Sequence, residues 1–222
     1  MRHSFALILV SVACVAGIVL VLCANPIIVP RGTVPVLDGK LSEEEWSDAR
    51  IIQLNADERL FLKHTDGYLY LGIQATALAL PTPLVVRGDK VLALHASAAL
   101  GTAIYVREGT AWNLRQGYVW QCRMLGFSEF AVAERARFLD QQGWLATIAY
   151  LGTPSQCEYQ IAWGDEPLTF LFLLLVGPEP LRFVSWPIPA IAAAQYEDLV
   201  MGGTPAQITC SLGDWATLEK GE

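Results

Sequence analysis

Histidine and methionine are scarce in this chain, three of each among 222 residues, and that scarcity removes much of the chemistry a catalytic or metal-binding protein draws on. His3 lies near the amino terminus and His64 at an expected hairpin corner, which leaves His95. Ser97, two residues further on, cannot make a triad with it unaided, and no GxSxG elbow occurs. A hydrogen-bonded histidine at a strand end is the plainer reading. No CxxC or Cys/His spacing suggests zinc, so no metal site is expected. Basic runs are missing too: 15 Lys and Arg stand against 22 Asp and Glu, a net charge of −7. That balance argues against nucleic acid and against an anionic lipid surface, both of which need basic clusters. No internal repeat or low-complexity tract is present.

The carboxylates select no catalytic pair. Glu43, Glu44 and Glu45 crowd a helix start, Asp66 and Asp89 sit in turns, and Glu129, Glu134 and Asp140 belong to a second helix. A glycosidase needs two carboxyls held at a defined separation across a sugar, and nothing in the spacing picks them out. No enzyme is expected. Of five cysteines, Cys14 and Cys23 fall in or beside an amino-terminal apolar run, leaving Cys122, Cys157 and Cys210. An odd count permits at most one intramolecular disulfide. Cys122 and Cys157 could pair across strands, and buried free thiols are the plainer alternative.

Long apolar stretches, by contrast, are present. Arg2 and His3 precede Phe5 to Leu22, which holds no charged residue and has about the length that spans a bilayer as a helix. Leu22-Cys23-Ala24 puts leucine where a cleavage site usually has a smaller residue, and Cys23 lacks a lipoprotein-type neighbour. The expectation is an uncleaved anchor with a cytoplasmic amino terminus and the rest of the chain outside the cytoplasm, or a secreted form if the leader is cleaved. Residues 1–24 are thus read as signal-anchor or signal peptide, 25–33 as linker and 34–222 as one folded domain. About 200 residues suffice to bury a sizeable core.

The most informative stretch is VPVLDGKLSEEEW, Val34 to Trp46. Asp38-Gly39 supply a turn. Ser42 reads as an N-cap with Glu45 three residues on, a capping box, while Leu41 and Trp46 occupy the positions of a hydrophobic staple. A helix is predicted from Ser42 to about Ala49, its acidic first turn favoured by the helix dipole. Glu58 to His64 and Tyr68 to Ala75 then alternate in the strand period around the two-residue hairpin signal Asp66-Gly67. A leading strand, an IDG-like turn, a capped helix ending in EEW and a hairpin whose second strand reads YLYLGIQA together resemble family 9 carbohydrate-binding modules and the wider group of DOMON-like β-sandwiches. The resemblance covers Val36 to Ala75.

Further strands are predicted at Leu84–Val86, Val91–Leu94, Thr102–Arg107, Tyr118–Arg123, Trp144–Tyr150, Glu158–Trp163, Leu168–Val176 and Ala206–Leu212. Leu168–Val176 is nearly all apolar and too short for a membrane helix, which fits a central strand buried on both faces. A second helix runs from Ser128 to about Gln142, with Glu134 and Arg137 spaced for an exposed pair and Gly143 as its stop. The resulting expectation is a mainly β, antiparallel sandwich with two short helices.

The resemblance implies a non-catalytic module that binds carbohydrate, which the Phe5 to Leu22 run would tether to a membrane. Sugars stack their apolar ring faces on aromatics with polar groups nearby. Trp112 fits best, in a polar, glycine-bounded connection beside Asn113, Arg115 and Gln116; Trp186, before Pro187, is second. The wider group implies an alternative, a haem-binding electron-transfer domain, for which His95 with Met124 or Met201 could supply axial ligands. A third possibility is an envelope scaffold with no small ligand.

Overall fold

A computed structural model describes residues 25–123, 128–148, 155–177 and 180–222. The expected anchor and Met124 lie outside the described residues, and among the described residues no helix is long and apolar enough to cross a membrane. The chain opens with β1 (Ile27–Val29), α1 (Glu43–Trp46), β2 (Arg50–Gln53), β3 (Arg59–Thr65) and β4 (Tyr68–Gln74). It continues through β5 (Leu78–Arg87), β6 (Lys90–Ala96), β7 (Leu100–Glu108), β8 (Ala111–Gln116), α2 (Glu129–Gln142) and β9 (Trp144–Ile148). The last third holds β10 (Gln156–Ala162), β11 (Leu168–Gly177), β12 (Arg182–Trp186), α3 (Ala190–Ala193), α4 (Glu197–Val200), β13 (Gln207–Ile208) and β14 (Ala216–Lys220).

These strands make two sheets. The larger runs β1-β14-β11-β5-β6-β7-β8-β13, with β12 also on β11; the smaller runs β2-β3-β4-β10-β9. Pairing is antiparallel except between β1 and β14, which are parallel. The segment read as a linker therefore joins the sheet, because Ile27–Val29 finds the free edge of β14. The hydrophobic pattern explains the layers. Phe170, Phe172, Leu174 and Val176 of β11 face the smaller sheet in one core, while Leu171, Leu173 and Leu175 enter a second core on the opposite face. There Ala193, Tyr196, Leu199 and Val200 of the α3–α4 region cover them. The all-apolar strand is thus buried on both faces, as its composition requires.

The motif that carries the resemblance keeps its helix cap, but no strand forms across 32–37, where its leading strand is expected. Ser42 Oγ accepts the Glu45 N–H and caps α1. Glu45 departs from the capping box: it accepts the Ser42 hydroxyl at 2.8 Å and the Val36 N–H at 3.0 Å. The helix is one turn long, shorter than expected, because Trp46 turns inward and is buried. A Cβ on Gly72 would lie 2.9 Å from Leu41 and 3.1 Å from Trp46, so glycine lets the staple pair close directly on β4. The Trp46 indole Nε1 donates to the buried Glu158 at 3.1 Å, and the Gly39 N–H donates to the other oxygen at 2.7 Å. Buried Lys63 lies over the indole face and pairs with Asp48 at 2.9 Å.

Elsewhere several expectations shift. The strand expected at Leu84–Val86 begins at Leu78 and passes through Pro81 and Pro83. Prolines two apart place both missing N–H groups on one edge of the strand, and that edge is where β6 pairs only with Leu84 to Arg87. Tyr118–Arg123 is not a strand; it crosses the sheet face with Tyr118 and Trp120 against Gly101, leaving a single bridge between Gln121 and Leu100. Ala206–Leu212 shrinks to β13. Trp144–Tyr150 is a strand as far as Ile148, its last residues lying outside the described ones. Ser128 caps α2 and Gly143, with φ 68°, ends it as expected, but Glu134 accepts the Cys122 N–H at 2.8 Å instead of serving Arg137. Cys122, Cys157 and Cys210 are free thiols, the first two buried.

Candidate functional site

Where β10 leaves the smaller sheet and the chain crosses to β11 in the larger one, there is an open cleft of about 420 Å³. Its walls are the end of β5 (Val86 to Gly88), the end of β10 and the connecting loop Trp163 to Pro167.

Each polar group there has a definite local origin. Arg87 ends β5 before the Gly88-Asp89 turn, and its guanidinium folds back to donate to the Ala162 carbonyl at 2.8 Å. It lies beside the carboxyl end of α2, 3.0 Å from where a Gly143 Cβ would be, so a side chain at the helix stop would displace it. Burial pushes the Arg87 pKa down, yet arginine remains a cation at any neutral pH. Trp163 is buried under the loop, its Nε1 donating to the Glu166 carbonyl at 3.0 Å, with His64 at its edge and Lys220 over its face. Asp165 and Glu166 are exposed on the loop, and Lys220 lies 3.8 Å from Asp165. The cleft therefore has one half-buried cation in its wall and two solvated acceptors at its rim.

The residues expected from sequence to bind a ligand do not meet in one place. Trp112 lies on β8, not in a loop, and is 3% exposed, packed in the second core with Tyr105, Ile208 and their neighbours. The glycine that suggested a loop, Gly109, belongs to the β7–β8 turn, after which the chain resumes strand alternation. Asn113 donates to Glu108 at 2.7 Å and accepts from Gln207 at 3.0 Å. Arg115 and Gln116 are exposed. Trp186 is half-buried at the end of β12, packed against Phe170.

His95 is a core histidine. Its Nδ1 meets the Thr82 hydroxyl at 2.9 Å, and the rings of Tyr118 and Trp120 lie 5.5 and 5.3 Å away. Burial pushes its pKa down to about 4, so it is neutral near pH 7. A haem iron taking a ring nitrogen of this imidazole would have to displace the Tyr118 and Trp120 rings packed against it, and Met201 is exposed at the end of α4. His95 and Met201 do not fit haem, and Met124 lies outside the described residues. Among the described residues, no group of three or more His, Cys, Asp and Glu side chains is placed to hold a metal ion.

Sequence reasoning passed over Arg87, Asp165 and Glu166. Arg87 precedes the turn that holds Asp89, and Gly164-Asp165-Glu166-Pro167 carries no motif. Their meeting depends on how the end of β5 and the β10–β11 loop come together in the fold.

No protein-family model matches the chain, and no curated protein does. A solved structure described as a "putative carbohydrate-binding protein" from Bacteroides uniformis is similar to it at 10% identity and a TM-score of 0.44, covering 89% of this chain and 100% of that one. A likeness this distant transfers nothing from that protein to this one.

Proposed function

We propose that this chain is a non-catalytic binding module outside the cytoplasm, tethered to a membrane by Phe5 to Leu22, that takes a small polar ligand, carbohydrate foremost, in the cleft between β5 and the β10–β11 loop. The observation carrying this reading is the cleft itself: an open concavity with Val86, Trp163, Pro167 and Leu168 as apolar walls and Arg87, Asp165 and Glu166 as polar groups of both signs. Few polar groups in a largely apolar concavity is how small-ligand sites are built. Binding rather than catalysis is favoured because both carboxylates lie on one loop, exposed to water, instead of facing each other across a bound molecule.

The test is a glycan array on the full chain in detergent, followed by titration calorimetry on wild type and on a variant with Asp165→Ala and Glu166→Ala. A glycan bound by wild type and weakened at least several-fold in the variant supports the cleft. Protease accessibility of the domain in intact cells tests the orientation, and membrane fractionation tests the tether.

A second reading, a scaffold with no small ligand, draws on one observation: none of the seven tryptophans is exposed, so no ready aromatic platform faces water. A domain that binds nothing on a broad array would favour it.

A further inference from the structure

We infer that the cleft selects ligands carrying a carboxylate, uronic acid sugars being the class that fits, with the carboxylate on Arg87 and the hydroxyls toward Asp165 and Glu166. This rests on the cleft being the binding site.

The first argument is an imbalance of charge. Arg31 pairs with Asp66, Lys63 with Asp48, Arg182 with Glu58 and Lys220 with Asp165. Arg87 is half-buried, yet among the described residues it has no carboxylate partner; it donates to one carbonyl, that of Ala162. A guanidinium has five N–H donors in a planar fork that matches a carboxylate. Arg135 is likewise half-buried, but it donates to Ala146 and Thr147 and does not line the cleft. Arg87 is therefore the partly desolvated cation that an entering anion can reach.

The second argument is the placement of the acidic groups. Asp165 and Glu166 are solvated at the rim, and Lys220 lies close to Asp165. Carboxylates accept hydrogen bonds from hydroxyls and repel another carboxylate, so they fix the orientation: the ligand's acid points inward and its hydroxyls outward. A neutral sugar satisfies the rim and leaves the guanidinium without an anion. A simple organic acid does the reverse. A uronic acid does both.

The experiment is titration calorimetry on the full chain in detergent at low and high salt, with a glucuronate-containing oligosaccharide, its neutral glucose counterpart and free glucuronate as probes. The acidic oligosaccharide is expected to bind about tenfold or more tighter than the neutral one, the gain of a charged hydrogen-bonded pair, and to weaken with salt. Arg87→Gln should erase that preference, while Arg87→Lys, which keeps the charge but not the fork, should retain part of it; a melting curve accompanies each variant. Equal affinity of wild type for acidic and neutral probes overturns the inference and leaves the cleft reading standing, and it needs no variant to fold. An acid preference that survives in folded Arg87→Gln removes Arg87 from the role. Binding of no probe overturns the inference, and the broad array described above then decides whether the cleft reading falls with it.

Discussion

The Tyr159 hydroxyl donates to the Pro81 carbonyl at 2.8 Å, and also to that of Leu94 at 3.3 Å, joining the smaller sheet to a split in the larger one. The split lies where the two prolines of β5 have no N–H to offer β6. Tyr159 therefore satisfies two carbonyls that the ladder leaves open, in a core where water cannot replace it. Tyr159→Phe is expected to destabilise the fold by about 1–3 kcal/mol, the cost of unsatisfied buried acceptors. Urea denaturation measures it, and a variant as stable as wild type would mean that the two carbonyls do not depend on the Tyr159 hydroxyl.

Glu158 makes stability depend on pH in an unusual direction. Burial pushes its pKa up to about 7 from an ordinary value of 4.5, and the N–H groups of Gly39 and Trp46 only partly offset that. The folded state thus holds a proton that the unfolded chain releases. The contribution is full below about pH 4.5 and is lost as pH rises through 7, at a slope of up to about 1.4 kcal/mol per pH unit. Denaturant melts between pH 5 and 8 should show wild type losing stability toward pH 8. Glu158→Gln should show little slope over that window; an equal slope in both would assign the dependence to another group.

Much of the fold was legible because local chemistry decided it. Ser42, Ser128 and Gly143 each act within a turn of their own position, and the Asp66-Gly67 hairpin needs only its flanking alternation. What sequence could not supply were relations between distant segments. Glu45 takes the Val36 N–H rather than the Ser42 N–H of a capping box, Tyr118 and Trp120 cross Gly101 instead of joining an edge, and Ile27–Val29 finds β14 at the far end of the chain. The candidate site was the least legible part. Arg87 and Glu166 are 79 residues apart by their numbers, and no pattern in either segment announces that they line one cleft.

Trp46 and Ser42 separate packing from capping. Trp46→Ala should cost roughly 3–5 kcal/mol, the usual loss for a large buried aromatic, since it removes the contact over Gly72 and leaves Glu158 without one donor. Ser42→Ala should cost about 1 kcal/mol through the lost cap. Trp46→Phe should fall between, keeping the ring but not the donor. Similar small losses for all three in chemical denaturation would place Trp46 outside the core.

Arg182 holds the buried Glu58, its Nη2 2.6 Å from Oε1 and its Nη1 3.3 Å from Oε2. Removing one partner of such a pair leaves a buried charge uncompensated. Because the Arg182 side chain is 36% exposed, Arg182→Ala should cost about 2–3 kcal/mol rather than the roughly 3–5 of a fully buried pair. Glu58→Gln in that background should recover part of the loss. A double variant no more stable than Arg182→Ala would show that the two groups are not coupled.

Trp112 provides the sharpest contrast between the readings of sequence and structure. As a stacking platform in a loop, it would tolerate Trp112→Ala with its melting curve unchanged and only ligand affinity reduced. As the structure has it, the indole fills the second core opposite Ile208 of β13. Removing it opens a cavity between β8 and its neighbours that cannot close without moving the strand. The expected loss is roughly 3–5 kcal/mol in urea denaturation, with the β13 edge released first, because only Gln207 and Ile208 pair β13 to β8. Hydrogen exchange at Leu114, whose N–H donates to the Ala206 carbonyl at 2.9 Å, should then speed up more in the variant than exchange at Leu173 in the centre of β11. A variant with wild-type stability and unchanged exchange would return Trp112 to the surface.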